Sequence, residues 1–235
     1  MALPKLNTSQ HELELPSTGG KIKYRPFLVK EQKLLMMAQE SKDECEIINA
    51  ISNIINSCTN GIVDAKTSPL FDVEYVFLQL RAKSVGESAD IQVLCPDDKK
   101  TKVEVKVKLD DVAVQMTADH TNIVEITENI KMIMKYPVLT DMQSLNEDEK
   151  NMGSIFNLLH NCVAEIHDGD KIYNRVDMDT KEINEFVDSL NTSQFEGLMN
   201  FFKTMPKLRH AISVTNPKTK KKSEVILEGL DSFLV

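Results

Sequence analysis

Residues 102–109, Lys-Val-Glu-Val-Lys-Val-Lys-Leu, alternate charged and apolar side chains without a break. Successive side chains of a strand point to opposite faces, so Val103, Val105, Val107 and Leu109 share one face and the charged residues share the other. Such a strand needs a sheet with one face packed and one face wet, the usual condition of antiparallel sheets and not of parallel ones. Residues 91–94, Ile-Gln-Val-Leu, precede it across Cys-Pro-Asp-Asp-Lys-Lys, so the pair reads as a hairpin.

Other segments carry the helical period. Ile47, Ile48, Ile51, Ile54, Ile55 and Cys58 form the strongest apolar stripe, ended by Asn60-Gly61. Before it, residues 29–39 place Leu34, Leu35 and Ala38 on one side, and Ser41 with Glu44 suggests a capping box for the stripe. Asp72 is expected to cap a helix bearing Val73, Val76, Phe77 and Leu80. Residues 12–15 and 21–24 alternate around Pro-Ser-Thr-Gly-Gly and read as a hairpin that Pro26 closes. Residues 123–126 and 130–134 read as strands.

From Ser144 the pattern is helical through Ile155, Phe156, Leu158, Leu159, Cys162 and Val163, and residues 167–175 read as a polar turn. Asp179 with Glu182, then Ser193 with Glu196, look like capping boxes over two further helices, the last closed by Pro206. Residues 211–215 and 224–227 flank a final turn. The expected fold class is α+β: an N-terminal β-hairpin and helices, a central antiparallel sheet, and C-terminal helices with a final β-hairpin. The expected regions are 1–89, 90–140 and 141–235, making one or two compact domains.

The two later hairpins resemble each other. Val93-Leu-Cys-Pro-Asp-Asp-Lys-Lys100 aligns with Val214-Thr-Asn-Pro-Lys-Thr-Lys-Lys221, and a strand follows each. Strand, Pro-containing knuckle and return strand form the skeleton of a zinc ribbon. Zinc takes about four Cys or His ligands, whereas only Cys95 stands at a knuckle and Asn216 holds the matching place. The ribbon is therefore degenerate and no metal is expected.

Motifs for chemistry are missing as well. There is no phosphate-binding glycine loop, no Gly-x-Ser-x-Gly elbow and no His-Glu-x-x-His. Asp168-Gly169-Asp170 starts like a calcium loop, but Ile172 and Asn174 do not continue it, so a surface turn is the better reading. Five scattered histidines and carboxylates on polar faces form no catalytic pattern, so no catalytic residue and no cofactor are expected. The net charge of −8 disfavours binding to nucleic acid. No apolar run approaches the ~20 residues of a membrane span, and no cationic-then-apolar leader is visible. Cys45, Cys58 and Cys162 fall in expected helices as free buried thiols, which suits a reducing cytosol. Eleven methionines read mainly as core filling, with adaptable binding surfaces as the alternative. The one dense basic run, residues 218–222, sits at a hairpin tip.

Two blocks carry a resemblance. The first is Leu15-Pro-Ser-Thr-Gly-Gly-Lys-Ile-Lys-Tyr-Arg-Pro-Phe-Leu-Val-Lys-Glu-Gln-Lys33, with Phe71-Asp-Val-Glu-Tyr75 and Leu80-Arg-Ala-Lys-Ser-Val-Gly-Glu87. The second is Phe201-Phe-Lys-Thr-Met-Pro-Lys-Leu-Arg-His210, leading into Thr215-Asn-Pro-Lys-Thr219 and Leu227-Glu-Gly-Leu230. Together they resemble the baseplate hub subunit and hub assembly family of T-even-type contractile-tailed bacteriophages. The resemblance implies a non-enzymatic protein that binds other hub or tail proteins, works in the host cytoplasm during assembly and can reside in the virion baseplate. It leaves open a tail assembly chaperone, for the tape measure protein for example, that is absent from the mature particle. A hub-associated hydrolase is the rival from another class. Whether the protein self-associates is left undetermined. Candidate partner-binding residues are Arg25, Phe27, Met205, Lys207, Leu208, Arg209, Lys218, Lys220 and Lys221, with intramolecular pairing as the competing role for Arg25 and Arg81.

Overall fold

The computed structural model describes residues 7–144 and 152–233. Among these residues the chain runs β1 (His11–Glu14), β2 (Lys21–Tyr24), α1 (Val29–Ser41), α2 (Glu44–Cys58), α3 (Leu70–Ser84), β3 (Ser88–Leu94), β4 (Lys102–Lys108) and β5 (Ala113–Gln115). It continues through β6 (Ile123–Glu125), β7 (Ile130–Met134), α4 (Met152–Cys162), β8 (Val163–Asp168), β9 (Lys171–Asn174), α5 (Thr180–Asp188), α6 (Thr192–Thr204), β10 (Lys207–Thr215) and β11 (Lys222–Glu228). The fold is α+β, with several small antiparallel sheets. Of the helix expected from Ser144, residues 145–151 lie outside the described residues.

Two compact units divide the chain. The first comprises Met1–Gln115 and Lys207–Val235, and the second comprises Met116–Pro206. In the first unit β5 pairs with β10, and Gln115 lies directly opposite Lys207. The chain therefore leaves and re-enters this unit at neighbouring positions, the geometry that tolerates an inserted segment.

In the first unit, helix α3 directs Leu78 and Ala82 onto Ile91 and Val93 of β3, Val107 of β4, and Leu208, Ile212 and Val214 of β10. The alternation at residues 102–109 has its expected effect: Val107 and Leu109 are buried while Lys102, Glu104, Lys106 and Lys108 face water. Stripe residues Ile51, Ile54, Ile55 and Cys58 of α2 are buried.

Several local expectations are corrected. Asp43, not Ser41, caps α2, its carboxylate accepting from the backbone N–H groups of Cys45 (2.8 Å) and Glu46 (3.3 Å). Ser41 instead ends α1 and donates to the Ala38 carbonyl at 2.8 Å, because Lys42 turns left-handed at φ 57° and separates the two helices. The buried side of α1 carries Glu31 and Ala38, leaving Leu34 exposed and Leu35 half-buried. Asp72 does not cap α3. Pro69 precedes that helix, and Asp72 lies in its first turn, buried, accepting from the Ser17 N–H at 3.0 Å and from the Ser17 hydroxyl. The last helix starts at Asn191, which exchanges reciprocal hydrogen bonds with Gln194 (3.0 and 2.9 Å); Ser193 and Glu196 fall inside α6. The Asp179–Glu182 box forms as expected.

The second unit is a four-stranded antiparallel sheet in the order β6-β7-β8-β9. Leu159 and Cys162 of α4, Ile183 and Val187 of α5, and Leu198 and Phe201 of α6 pack on Val124, Met132, Met134, Val163 and Ile166. Half of this sheet escapes the sequence reading. Val163 continues the helical stripe, yet it opens strand β8, and the supposed polar turn at residues 167–175 contains β9. The ladder with β7, which sets Met132 opposite Ile166, overrides the local period.

Candidate partner-binding surface

The two related hairpin turns are built alike and meet. In the first, the Cys95 N–H donates to the Thr101 carbonyl (2.8 Å) and the Lys99 N–H donates to the Cys95 carbonyl (2.9 Å). In the second, the Asn216 N–H donates to the Lys221 carbonyl (2.9 Å) and the Lys220 N–H donates to the Asn216 carbonyl (2.9 Å). Lys99 and Lys220 both adopt left-handed backbone, at φ 51° and 62°.

Between the turns stands a hydrogen-bond clasp. The Asn216 amide donates to both Asp97 carboxylate oxygens, at 2.9 and 3.1 Å, and the Thr219 hydroxyl donates to the same carboxylate. The Asn216 side-chain oxygen accepts from the N–H groups of Lys218 (2.9 Å) and Thr219 (3.3 Å). The Asn216 and Thr219 hydrogen bonds hold the Asp97 carboxyl below its ordinary pKa. Among the described residues no group of three or more His, Cys, Asp or Glu is placed to hold a metal ion.

Asn216 is 1% exposed. Replacing it by alanine removes the acceptor of two backbone N–H groups and the amide donor to Asp97, which keeps only the Thr219 hydroxyl, so Asn216→Ala is expected to cost about 2 kcal/mol. In a chain of this size that lowers Tm by about 5 °C. EDTA is expected to leave the wild-type melt unchanged, which calorimetry with and without chelator would check.

The sequence-derived candidates are not gathered into one surface. Arg25 turns inward: its guanidinium bonds Glu31 at 2.9 Å and the Pro26 carbonyl at 3.1 Å. Phe27 is 7% exposed, and its N–H donates to the Ser84 hydroxyl at 2.8 Å. Leu208 is fully buried in the core of the first unit. On either side of it in sequence, Lys207 and Arg209 grip Glu228 of β11 at 3.0 and 2.6 Å. Met205 is half-buried just beyond the end of α6. Only Lys218, Lys220 and Lys221 stand exposed, together on the β10–β11 turn.

Exposed methionines offer a further feature. Met36 and Met37 on α1 are 52% and 68% exposed, whereas Met132 and Met134 are core residues.

Three of the four cysteines are buried. Cys45 is exposed, correcting the expectation that it is buried, while Cys58, Cys95 and Cys162 are buried and all four are free. Burial pushes the Cys58 thiol up to about 11 and the Cys162 thiol up to about 12, the reverse of nucleophile activation. His120 lies 2.9 Å from the Thr204 hydroxyl and 3.1 Å from the Tyr136 hydroxyl. The Thr204 hydroxyl also donates to the Asn200 carbonyl at 2.8 Å, so both ring nitrogens of His120 sit within a hydrogen-bonded cluster. Burial also lowers the His120 pKa. No helix among the described residues is long and apolar enough to cross a membrane.

These features define an α+β protein with a hydrogen-bonded clasp between two related hairpin turns in one unit and a second unit inserted into its sequence. A family model described as T4 bacteriophage base plate protein matches residues 8–235, and the chain belongs to that family. Its role is therefore structural or assembly-related, in a phage baseplate. No curated protein and no solved structure matches the chain.

Proposed function

We propose that the protein is a baseplate hub component or hub assembly factor of a contractile tail, acting by binding other tail proteins and not by catalysis. Family membership across residues 8–235 carries this reading. The buried Cys58 and Cys162 thiols, with their raised pKa values, are consistent with a binding role. The exposed Lys218, Lys220 and Lys221 would meet an acidic partner patch, while the charge of −8 repels nucleic acid. Assembly would take place in the host cytoplasm.

Affinity capture from infected cells, early and late, is expected to recover tail proteins, and quantitative mass spectrometry of purified virions then tests retention. Presence at stoichiometric level supports a hub component. Late capture with absence from virions points to an escorting chaperone. Recovery of no tail protein at either time would refute the proposal.

A further inference from the structure

We propose that the open edge of β6 and the facing side of α6 form a groove that receives an extended segment of another baseplate protein. The segment would pair as an added strand and anchor itself by an aliphatic side chain beside a lysine or arginine. This rests on the assembly reading above and names a surface for it.

Strand β6 is an edge strand; among the described residues β7 alone is hydrogen-bonded to it. The Met134 N–H donates to the Asn122 carbonyl (2.7 Å) and the Ile126 N–H donates to the Ile130 carbonyl (2.9 Å). Antiparallel pairing alternates, so residues 122, 124 and 126 bond toward β7 while Ile123 and Glu125 turn their main-chain groups outward. The Ile123 N–H is met by the Thr121 hydroxyl at 3.1 Å, leaving the Ile123 carbonyl and both Glu125 groups on the open side. An edge of this kind is the template for strand addition.

Helix α6 supplies the opposite wall. Gly197, Asn200, Phe201 and Thr204, spaced at i, i+3, i+4 and i+7, line one side of a cavity of about 170 Å³ whose other side includes Ile123 and Val124. Phe201 is buried and stacked on Tyr136 with ring centroids 5.8 Å apart, and its ring centroid lies 5.3 Å from that of His120. The Asn200 side chain, exposed and without a hydrogen-bond partner among the described residues, can bond a peptide main chain.

Gly197 is the telling residue. Glycine inside a helix costs stability relative to alanine. Packing does not require it here, because an added Cβ would meet only Val124 Cγ1, at an ordinary contact distance of 3.6 Å. The glycine keeps the groove open for close approach of a second backbone. Asp119 and Glu125 are the charged residues of the lining, and both are acidic. Glu125 shares its charge with Lys131 at 3.2 Å, at an exposed site where pairing is weak. The anchor residue is therefore apolar and its neighbour basic.

The test uses the full-length chain against an array of short overlapping peptides covering the tail and baseplate proteins of the same phage. Wild type is expected to bind peptides that pair an aliphatic residue with Lys or Arg. Gly197→Leu fills the groove and is expected to weaken binding at least about tenfold, with melting temperature unchanged or raised. Asp119→Lys, at an exposed site, is expected to shift preference away from basic peptides. N-methylation of the bound peptide's backbone should abolish binding, and exchange of the Glu125 amide should slow in the complex. The proposal is overturned if wild type captures a tail protein that both variants capture equally well, a result that leaves the assembly reading intact. Failure of wild type to capture any tail protein strikes the assembly reading instead. A dimer that Gly197→Leu converts to monomer would make the occupant a second copy and would also overturn the proposal.

Discussion

Leu208→Ala is expected to destabilise the protein by about 3–4 kcal/mol. Leu208 sits on β10 opposite Val114 of β5 and is fully buried. It belongs to the cluster that contains Leu78, Val112, Leu227 and Phe233. Surrounding structure in such a packed cluster relaxes only in part, so truncation is expected to leave a cavity, and the cost exceeds the transfer free energy of the lost methyl groups. The expected change in Tm is about 10 °C downward by calorimetry. The residue lies in one of the blocks that resemble hub proteins, where a binding role competes with a core role. A variant that melts like wild type and fails only to capture tail proteins would reverse the structural assignment.

That ambiguity shows what the sequence makes legible. Period-two alternation at residues 102–109 and the isoleucine stripe of α2 were readable because one face of each element is buried, and burial is a local pattern. The knuckle repeat was readable as a repeat, with Asn216 standing where the first turn has Cys95. What could not be read was the clasp between the two turns, since Asp97 and Asn216 are far apart in sequence and only the folded chain joins them. The same applies to Arg209 and Lys207. In sequence they look like exposed anchors, but β11 brings Glu228 across to hold them.

Competition between local signals explains the other corrections. Ser41, Asp43 and Glu44 offer overlapping caps, and the left-handed turn at Lys42 decides in favour of Asp43. Val163 suits the end of a helix or the start of a strand equally well, and the partner strand β7 settles it. The inserted second unit has no local mark at all. It is defined by the pairing of residues 113–115 with residues 207–209, a contact of long sequence separation between short segments. The groove at β6 had one available signal, Gly197 within a helical pattern, which reads as a weakness until the opposite wall is known.

Arg25→Ala is expected to cost about 3 kcal/mol at about pH 7, and the cost is expected to shrink as the pH approaches about 4. Glu31 is 5% exposed, with one carboxylate oxygen on Arg25 at 2.9 Å and the other on the Leu28 N–H at 2.8 Å. Burial alone would raise its pKa; the hydrogen bonds from Arg25, Leu28 and Lys30 outweigh that and hold it below the ordinary 4.5. A carboxyl depressed in the folded state contributes stability that is complete above its unfolded pKa and is lost as pH falls through the folded value. Removing Arg25 takes away the largest opposing interaction, so the folded pKa moves up toward the unfolded one. The variant should therefore lose less stability on mild acidification than wild type does, and the two urea curves should converge. Glu31→Gln on top of Arg25→Ala keeps an acceptor for Leu28 without the buried charge, and should recover part of the loss at neutral pH. A constant difference between wild type and Arg25→Ala across this pH range would mean that Arg25 acts through packing of its stem and not through its charge on Glu31.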